Sequence, residues 1–290
     1  MSFLYANPGH GNLFTHIKDA NYTEETSSLF ITGIGFGTAI SQENNVPSGI
    51  KELWAKLDYY QRRLWSGYIV SFTGGDKTCG VIGNDGNSSQ CRIMINGEQK
   101  FVYYPTKSIV HNYYVHIVSD AVEGVFEFYS SGELLYSFSG DVLGGADITK
   151  FSVGSANDRS GRVSNIIVAD TKLGFTEDVI TLPISVTSTN MTDNGDGTYS
   201  ALNSGEYIKQ TIDSAAIRQL CTASTVITGV CIAGRPGYYT GEGIDTMEAM
   251  NENTVLGEST LSPVEASITY GLRMNTPIGT FNGTYGWRAK

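Results

Sequence analysis

Ser48-Gly-Ile-Lys-Glu-Leu-Trp-Ala-Lys-Leu-Asp-Tyr-Tyr-Gln-Arg-Arg-Leu-Trp65 supports two readings. Ile50, Leu53, Trp54, Leu57 and Leu64 recur at helical spacing, and Ser48 follows Pro47 where an N-cap would stand. The same residues also alternate. Leu53, Ala55, Leu57 and Tyr59 fall against Trp54, Lys56, Asp58 and Tyr60, which describes a strand with one wholly apolar face. The local text leaves both open.

The flanking sequence is a succession of short apolar runs broken by turn residues. Phe30, Thr32, Ile34 and Phe36 share a face at period two. Cys91 to Ile95, then Asn96-Gly97, then Glu98 to Tyr104 predicts a hairpin, because Asn-Gly accepts the positive φ angles of a type I′ turn. Tyr113 to Ser119, Gly124 to Tyr129, Glu133 to Ser139, Lys150 to Gly154 and Arg162 to Ala169 continue the pattern. Strands this short and closely spaced, with no long helices between them, imply a sandwich or jelly roll and exclude a parallel α/β sheet. After Thr181-Leu-Pro183 strands and turns resume, and Asp213 caps a short predicted helix to Leu220. The expected organisation is an arm at 1–26, a sandwich at 27–173, a linker at 174–181 and a C-terminal β domain at 182–290.

Composition agrees. The chain has 290 residues, 34 of them Gly, 17 Tyr and 12 Phe, which suits turns and aromatic strands. A formal charge of −10 excludes nucleic-acid binding through global charge. With 40% hydrophobic and 17% charged residues, the chain is too apolar to be disordered and too interrupted to span a membrane. The start has neither a basic nor a long apolar segment, so synthesis without a cleaved secretion signal is expected. Cys79, Cys91, Cys221 and Cys231 show no zinc spacing, and buried free thiols are expected. Only Cys79 and Cys91 are candidates to face each other across strands.

Glu52-Leu-Trp-Ala-Lys-Leu-Asp-Tyr-Tyr60, Trp65, Tyr68, Val115-His-Ile-Val-Ser-Asp120 and Gly124-Val-Phe-Glu-Phe-Tyr-Ser-Ser-Gly132 form a block that carries a resemblance. The block continues through Phe138-Ser-Gly-Asp141 and Phe151-Ser-Val-Gly-Ser155 to Arg162-Val-Ser-Asn-Ile-Ile-Val-Ala-Asp170. It resembles the concanavalin A-like (laminin-G-like) jelly-roll domains of bacteriophage tail and fibre proteins, over roughly residues 28 to 173. The resemblance implies that Glu52 to Tyr60 is a strand. Gly197-Thr-Tyr199, Asp213 to Leu220, Val226-Ile-Thr-Gly-Val230 and the loop from Gly234 to Gly243 resemble a second phage tail-type β domain. The implied protein is a non-enzymatic virion component, a tail fibre or tail-tip protein in host attachment. It would be a homo-oligomer, a trimer or a multiple, joined to other virion proteins through its arm. A purely architectural tail, baseplate or capsid-decoration role is the alternative, and a glycan depolymerase is the third reading.

No catalytic set, metal site or cofactor site is read from the sequence. Glu123 and Glu127 are separated along a strand by roughly 13 Å of backbone, too far for a retaining glycosidase pair, and a solvent-facing role is expected. His116 lies in an apolar strand and is read as a satisfied histidine. Asp193-Asn-Gly-Asp-Gly197 opens like a calcium loop, but Ser204 stands where the twelfth-position Glu would be, so it reads as a turn. Sugars bind by stacking on aromatic faces beside fixed polar groups. Trp65 beside Arg62 and Arg63, and the loop with Arg235, Tyr238, Tyr239 and Glu242, fit that description and equally fit a subunit interface. Host-surface polysaccharide is the expected ligand.

Overall fold

The computed structural model describes residues 3–7, 16–18, 22–27, 30–36, 40–61, 67–83, 90–106, 109–156, 161–179, 185–218, 221–234, 244–261 and 268–290. Contacts divide the chain into two compact units, residues 5–179 and residues 180–290 with residues 1–4. Among the described residues, no helix is long and apolar enough to cross a membrane.

The strands run β1 (Leu4–Asn7), β2 (His16–Lys18), β3 (Tyr22–Ser27), β4 (Phe30–Phe36) and β5 (Ile40–Asn45). Next come β6 (Glu52–Gln61), β7 (Gly67–Gly74), β8 (Lys77–Gly83), β9 (Cys91–Ile95) and β10 (Glu98–Tyr103). The first unit ends with β11 (Val110–Val118), β12 (Asp120–Ser130), β13 (Glu133–Val142), β14 (Lys150–Ala156) and β15 (Gly161–Ala169). They form two antiparallel sheets, ordered β13-β12-β11-β6-β15-β4-β3 and β10-β9-β8-β7-β14-β5-β2. This is a jelly-roll β-sandwich, as the strand spacing predicts. Period-two alternation puts Leu53, Leu57, Tyr59, Tyr113, Val115, Phe126 and Phe128 of one sheet against Phe72, Val81, Cys91, Ile93 and Phe151 of the other.

Glu52–Gln61 is a strand, so the helical period there was misleading. Its inner residues are fully buried, yet Trp54 and Lys56 on its outer face are buried too. The cover is the segment following β15. Lys56, 1% exposed, donates to the Glu177 carbonyl and pairs with Asp178 at 3.3 Å. Tyr114 Oη donates to the Leu173 carbonyl at 2.8 Å. Asn165 Nδ2 donates to Asp58 and Asp178, while its Oδ1 accepts the Val179 N–H at 2.7 Å. Asn165 stands at φ 52°, where β15 bulges between Ser164 and Ile167. That bulge breaks the period-two pattern of the strand, and Val163, Ile166 and Val168 are all buried.

Two further expectations need correction. Residues 1–26, read as an unordered arm, carry β1, β2 and β3. Tyr5 of β1 is buried against Phe151, whereas β2 and β3 are placed by backbone pairing: His16–Lys18 pairs with Ser41–Glu43, and Tyr22–Ser27 with Phe30–Phe36. Cys79 and Cys91 do not face each other. Cys79 lies opposite Phe72 and Cys91 opposite Gly83, and both are free and buried. Burial pushes the Cys91 thiol up to about 12.

The second unit is also nearly all β. Its described strands are β16 (Ser188–Thr189), β17 (Thr192–Asp193), β18 (Tyr199–Ser200), β19 (Tyr207–Asp213), β20 (Val226–Gly234), β21 (Thr246–Asn251), β22 (Thr254–Thr260), β23 (Ile268–Pro277) and β24 (Asn282–Ala289). A five-stranded sheet, β16-β19-β24-β21-β22, is accompanied by the pairs β17-β18 and β20-β23. Ile212, Ile217, Ile232, Leu256, Ile278, Phe281 and Tyr285 form its core. A short helix, α1 (Ser214–Ile217), starts where Asp213 Oδ1 accepts the Ala215 N–H, the cap read from the sequence. Asp193 and Asp196 spend their carboxylates on the N–H groups of Gly195 and Thr198, which makes their segment a turn.

Candidate functional site

Two clusters of the first unit hold polar and aromatic side chains together. The first lies on the outer face of the β11-bearing sheet. Register sets His116 opposite Trp54 on one side and Glu127 on the other. The imidazole stacks on the indole at 3.5 Å and 8°. Its Nε2 meets Glu52 at 3.0 Å and its Nδ1 meets Glu127 at 3.1 Å. Tyr129 Oη donates to Glu127, and Trp54 Nε1 donates to Glu52. Burial and the Glu127 carboxylate push the Tyr129 phenol up to about 12. Lys172 hangs 5.7 Å over the Trp54 ring, and Phe175 packs on Tyr114 and Tyr129. Glu127 is thus engaged with His116 and Tyr129 rather than simply facing solvent. The polar groups of this cluster are turned toward one another.

The second cluster lies where the end strands of the two sheets, β10 and β13, come together. Phe101 of β10 stacks on Tyr136 of β13 at 5.0 Å, joining the sheets. Beside that pair opens a cleft of about 350 Å³, lined by Lys77, Ile95, Asn96, Glu98, Lys100, Phe138 and Asp141. Ligand pockets span about 300 to 1,000 Å³.

The Asn96-Gly97 turn builds one wall. Their φ angles of 51° and 83° are those of the predicted turn. Asn96 then reaches across to the other sheet. Its Oδ1 accepts the Leu143 N–H at 3.0 Å, and its Nδ2 donates to the Asp141 carbonyl at 2.9 Å. Asp141 Oδ1 accepts the Gly144 N–H, while Oδ2 accepts Lys77 Nζ at 2.7 Å. The Lys77 ammonium and the Gly144 N–H hold the Asp141 carboxyl below its usual range. Further along the same wall, on β10, Lys100 pairs with Glu98 at 2.6 Å, and its Nζ lies 5.6 Å from the ring centroid of Phe138 on the facing wall. That pairing raises the Lys100 ammonium and lowers the Glu98 carboxyl. Gly140, at φ 151°, seats the ring: a Cβ there would lie 2.9 Å from Phe138 Cζ. The cleft therefore offers a half-buried aromatic ring, an ammonium beside it, and an amide and a carboxylate fixed by backbone contacts.

Trp65, Arg235, Tyr238, Tyr239 and Glu242, the ligand residues read from the sequence, lie outside the described residues, as do Arg62 and Arg63. The sequence reading did not assign Lys77, Lys100, Phe138 or Asp141. Its Asn-Gly turn marked one wall, but the partner wall is contributed by a different sheet. Among the described residues, no group of three His, Cys, Asp or Glu is arranged to hold a metal ion.

No family model matches the chain, and no curated protein does. Solved structures of similar fold include a Trypanosoma rangeli sialidase mutant displaying trans-sialidase activity, at 14% identity and a TM-score of 0.43, covering 60% of this chain and 31% of that one. Peanut lectin, at 12% identity and a TM-score of 0.37, covers 58% of this chain and 96% of its own. The carbohydrate-binding module CBM66 of Bacillus subtilis, at 11% and 0.31, covers 53% and 94%. The chain spans about a third of the length of the sialidases it matches. These are likenesses of fold alone. They nevertheless overturn the expectation that the chain is not an enzyme: sialidases stand among its structural neighbours, so that exclusion is withdrawn, and at such identity no activity is established in its place.

Proposed function

We propose that this protein is a glycan-binding component of a tailed-bacteriophage virion, serving attachment to the host surface through the cleft between β10 and β13. The observation that carries the glycan part is Phe138, a half-buried ring flanked by Lys100, Asn96 and Asp141. Such a ring stacks on the apolar face of a pyranose, while the surrounding polar groups bond its hydroxyls. The virion part is supported by the resemblance of the segments around Glu52–Tyr60, Val115–Asp120 and Arg162–Asp170 to phage tail and fibre domains.

The reading is tested by presenting the protein to a glycan array and to intact cells of candidate hosts, beside its Phe138→Ala variant. Binding that requires Phe138 is the expected result. Binding of neither protein to any glycan, or equal binding by both, would remove the cleft from the function.

A further inference from the structure

We infer that the sugar taken by this cleft carries a carboxylate, as a hexuronate does, and that Lys100 is the cation that receives it. This rests on the glycan-binding reading above and narrows it.

The two ammonium groups of the cleft are not equivalent. Lys77 is committed, because its partner Asp141 is itself fixed by the Gly144 N–H and its carbonyl by Asn96. Among the described residues, Lys100 is held only by Glu98, two residues away on the same strand. The Lys100 side chain is 30% exposed, whereas that of Glu98 is 72% exposed. An exposed pair of this kind is worth little, since solvent screens it and two long side chains must be held in one geometry. Glu98 can leave at small cost, and Lys100 then keeps its position beside the Phe138 ring. Glu98 accordingly occupies the place of a ligand carboxylate. A pyranose lying on Phe138 would bring its own carboxylate to the same ammonium, in the place that Glu98 holds in its absence.

The experiment uses the full chain and two probes: a tetramer of galacturonic acid, and the same tetramer with its carboxylates reduced to primary alcohols. Titration calorimetry should show the acid binding about tenfold more tightly than the reduced form. Lys100→Gln should abolish that preference. Glu98→Gln, a change at an exposed position, should tighten the acid about threefold by removing the internal competitor and leave the reduced form unchanged. Equal, Phe138-dependent binding of both tetramers would overturn the acidic-sugar inference and leave the glycan reading standing. So would failure of both tetramers together with Phe138-dependent binding to neutral glycans on the array. Failure of both tetramers and of the whole array would overturn inference and reading together. A Glu98→Gln variant that binds the acid more weakly would also sink the inference.

Discussion

The Trp54–His116 cluster and the Phe138 cleft are made of similar parts: aromatic rings, carboxylates and a basic side chain. They differ in how those parts are spent. In the first, both ring nitrogens of His116 meet carboxylates, Tyr129 meets Glu127, and Phe175 and Lys172 pack over the rings. In the second, the pair beside the ring is exposed and the space in front of it is open. Residue type alone therefore does not mark a site. A tryptophan, a histidine and two glutamates within bonding distance resemble catalytic equipment, yet their bonds turn inward and hold three strands together. The lesson is to ask which groups can change partners without loss.

The contrast can be broken by mutation. The largest effect is expected at Trp54, which is 8% exposed. Trp54→Ala should cost about 3 kcal/mol of stability or more, read by chemical denaturation, while binding by the folded fraction is unchanged. A variant of normal stability that fails to bind would reverse the assignment of the two clusters. Next comes Phe138→Ala, expected to weaken glycan affinity about thirtyfold, equivalent to about 2 kcal/mol, with a much smaller effect on unfolding. The two variants should be opposites in these two measurements.

Asn96→Gly is expected to fall between them. Glycine keeps the positive φ but loses the side-chain bonds to Leu143 and Asp141. A loss of about 1 to 2 kcal/mol in stability is expected, with a weakening of binding as the wall loosens. Normal binding in this variant would mean that the cleft does not depend on the tie between sheets. The smallest effect is on pH dependence. The Asp141 carboxyl is held low by Lys77, so its contribution is present above the unfolded value of about 3.9 and is lost as pH falls through the lower folded value. Asp141→Asn should lower stability by a constant amount near neutrality and flatten the acid end of the profile, below about pH 4, so that variant and parent converge in acid. An unaltered acid limb would show that this pair contributes nothing measurable.

Much of the fold was legible. Period-two burial and the Asn96-Gly97 turn are local features, and the structure reproduces both. What failed depended on distant partners. Trp54, an apolar residue on the outer face of β6, lent the segment a helical period because residues 173–178 cover that face, which no local pattern announces. β2 and β3 are polar, and their strand character comes from backbone partners supplied by β5 and β4. The cleft was hidden for the same reason. Lys100 and Phe138 lie far apart in sequence and sit on different sheets, so only the closing of the sandwich brings them together.

The segment laid over β6 has a mechanical consequence. Tension reaching the first unit through Val179 meets the Val179 N–H bond to Asn165, then the bonds from Lys56 to the Glu177 carbonyl and Asp178, then the Tyr114 bond to Leu173. These attachments anchor to β15, β6 and β11, which are neighbours in the interior of one sheet rather than its edge. A pull is thus distributed over several strands before it can peel β15 from the sheet. Lys56, Asp58 and Asn165 act as a strain relief, the knot that takes up load ahead of the seam.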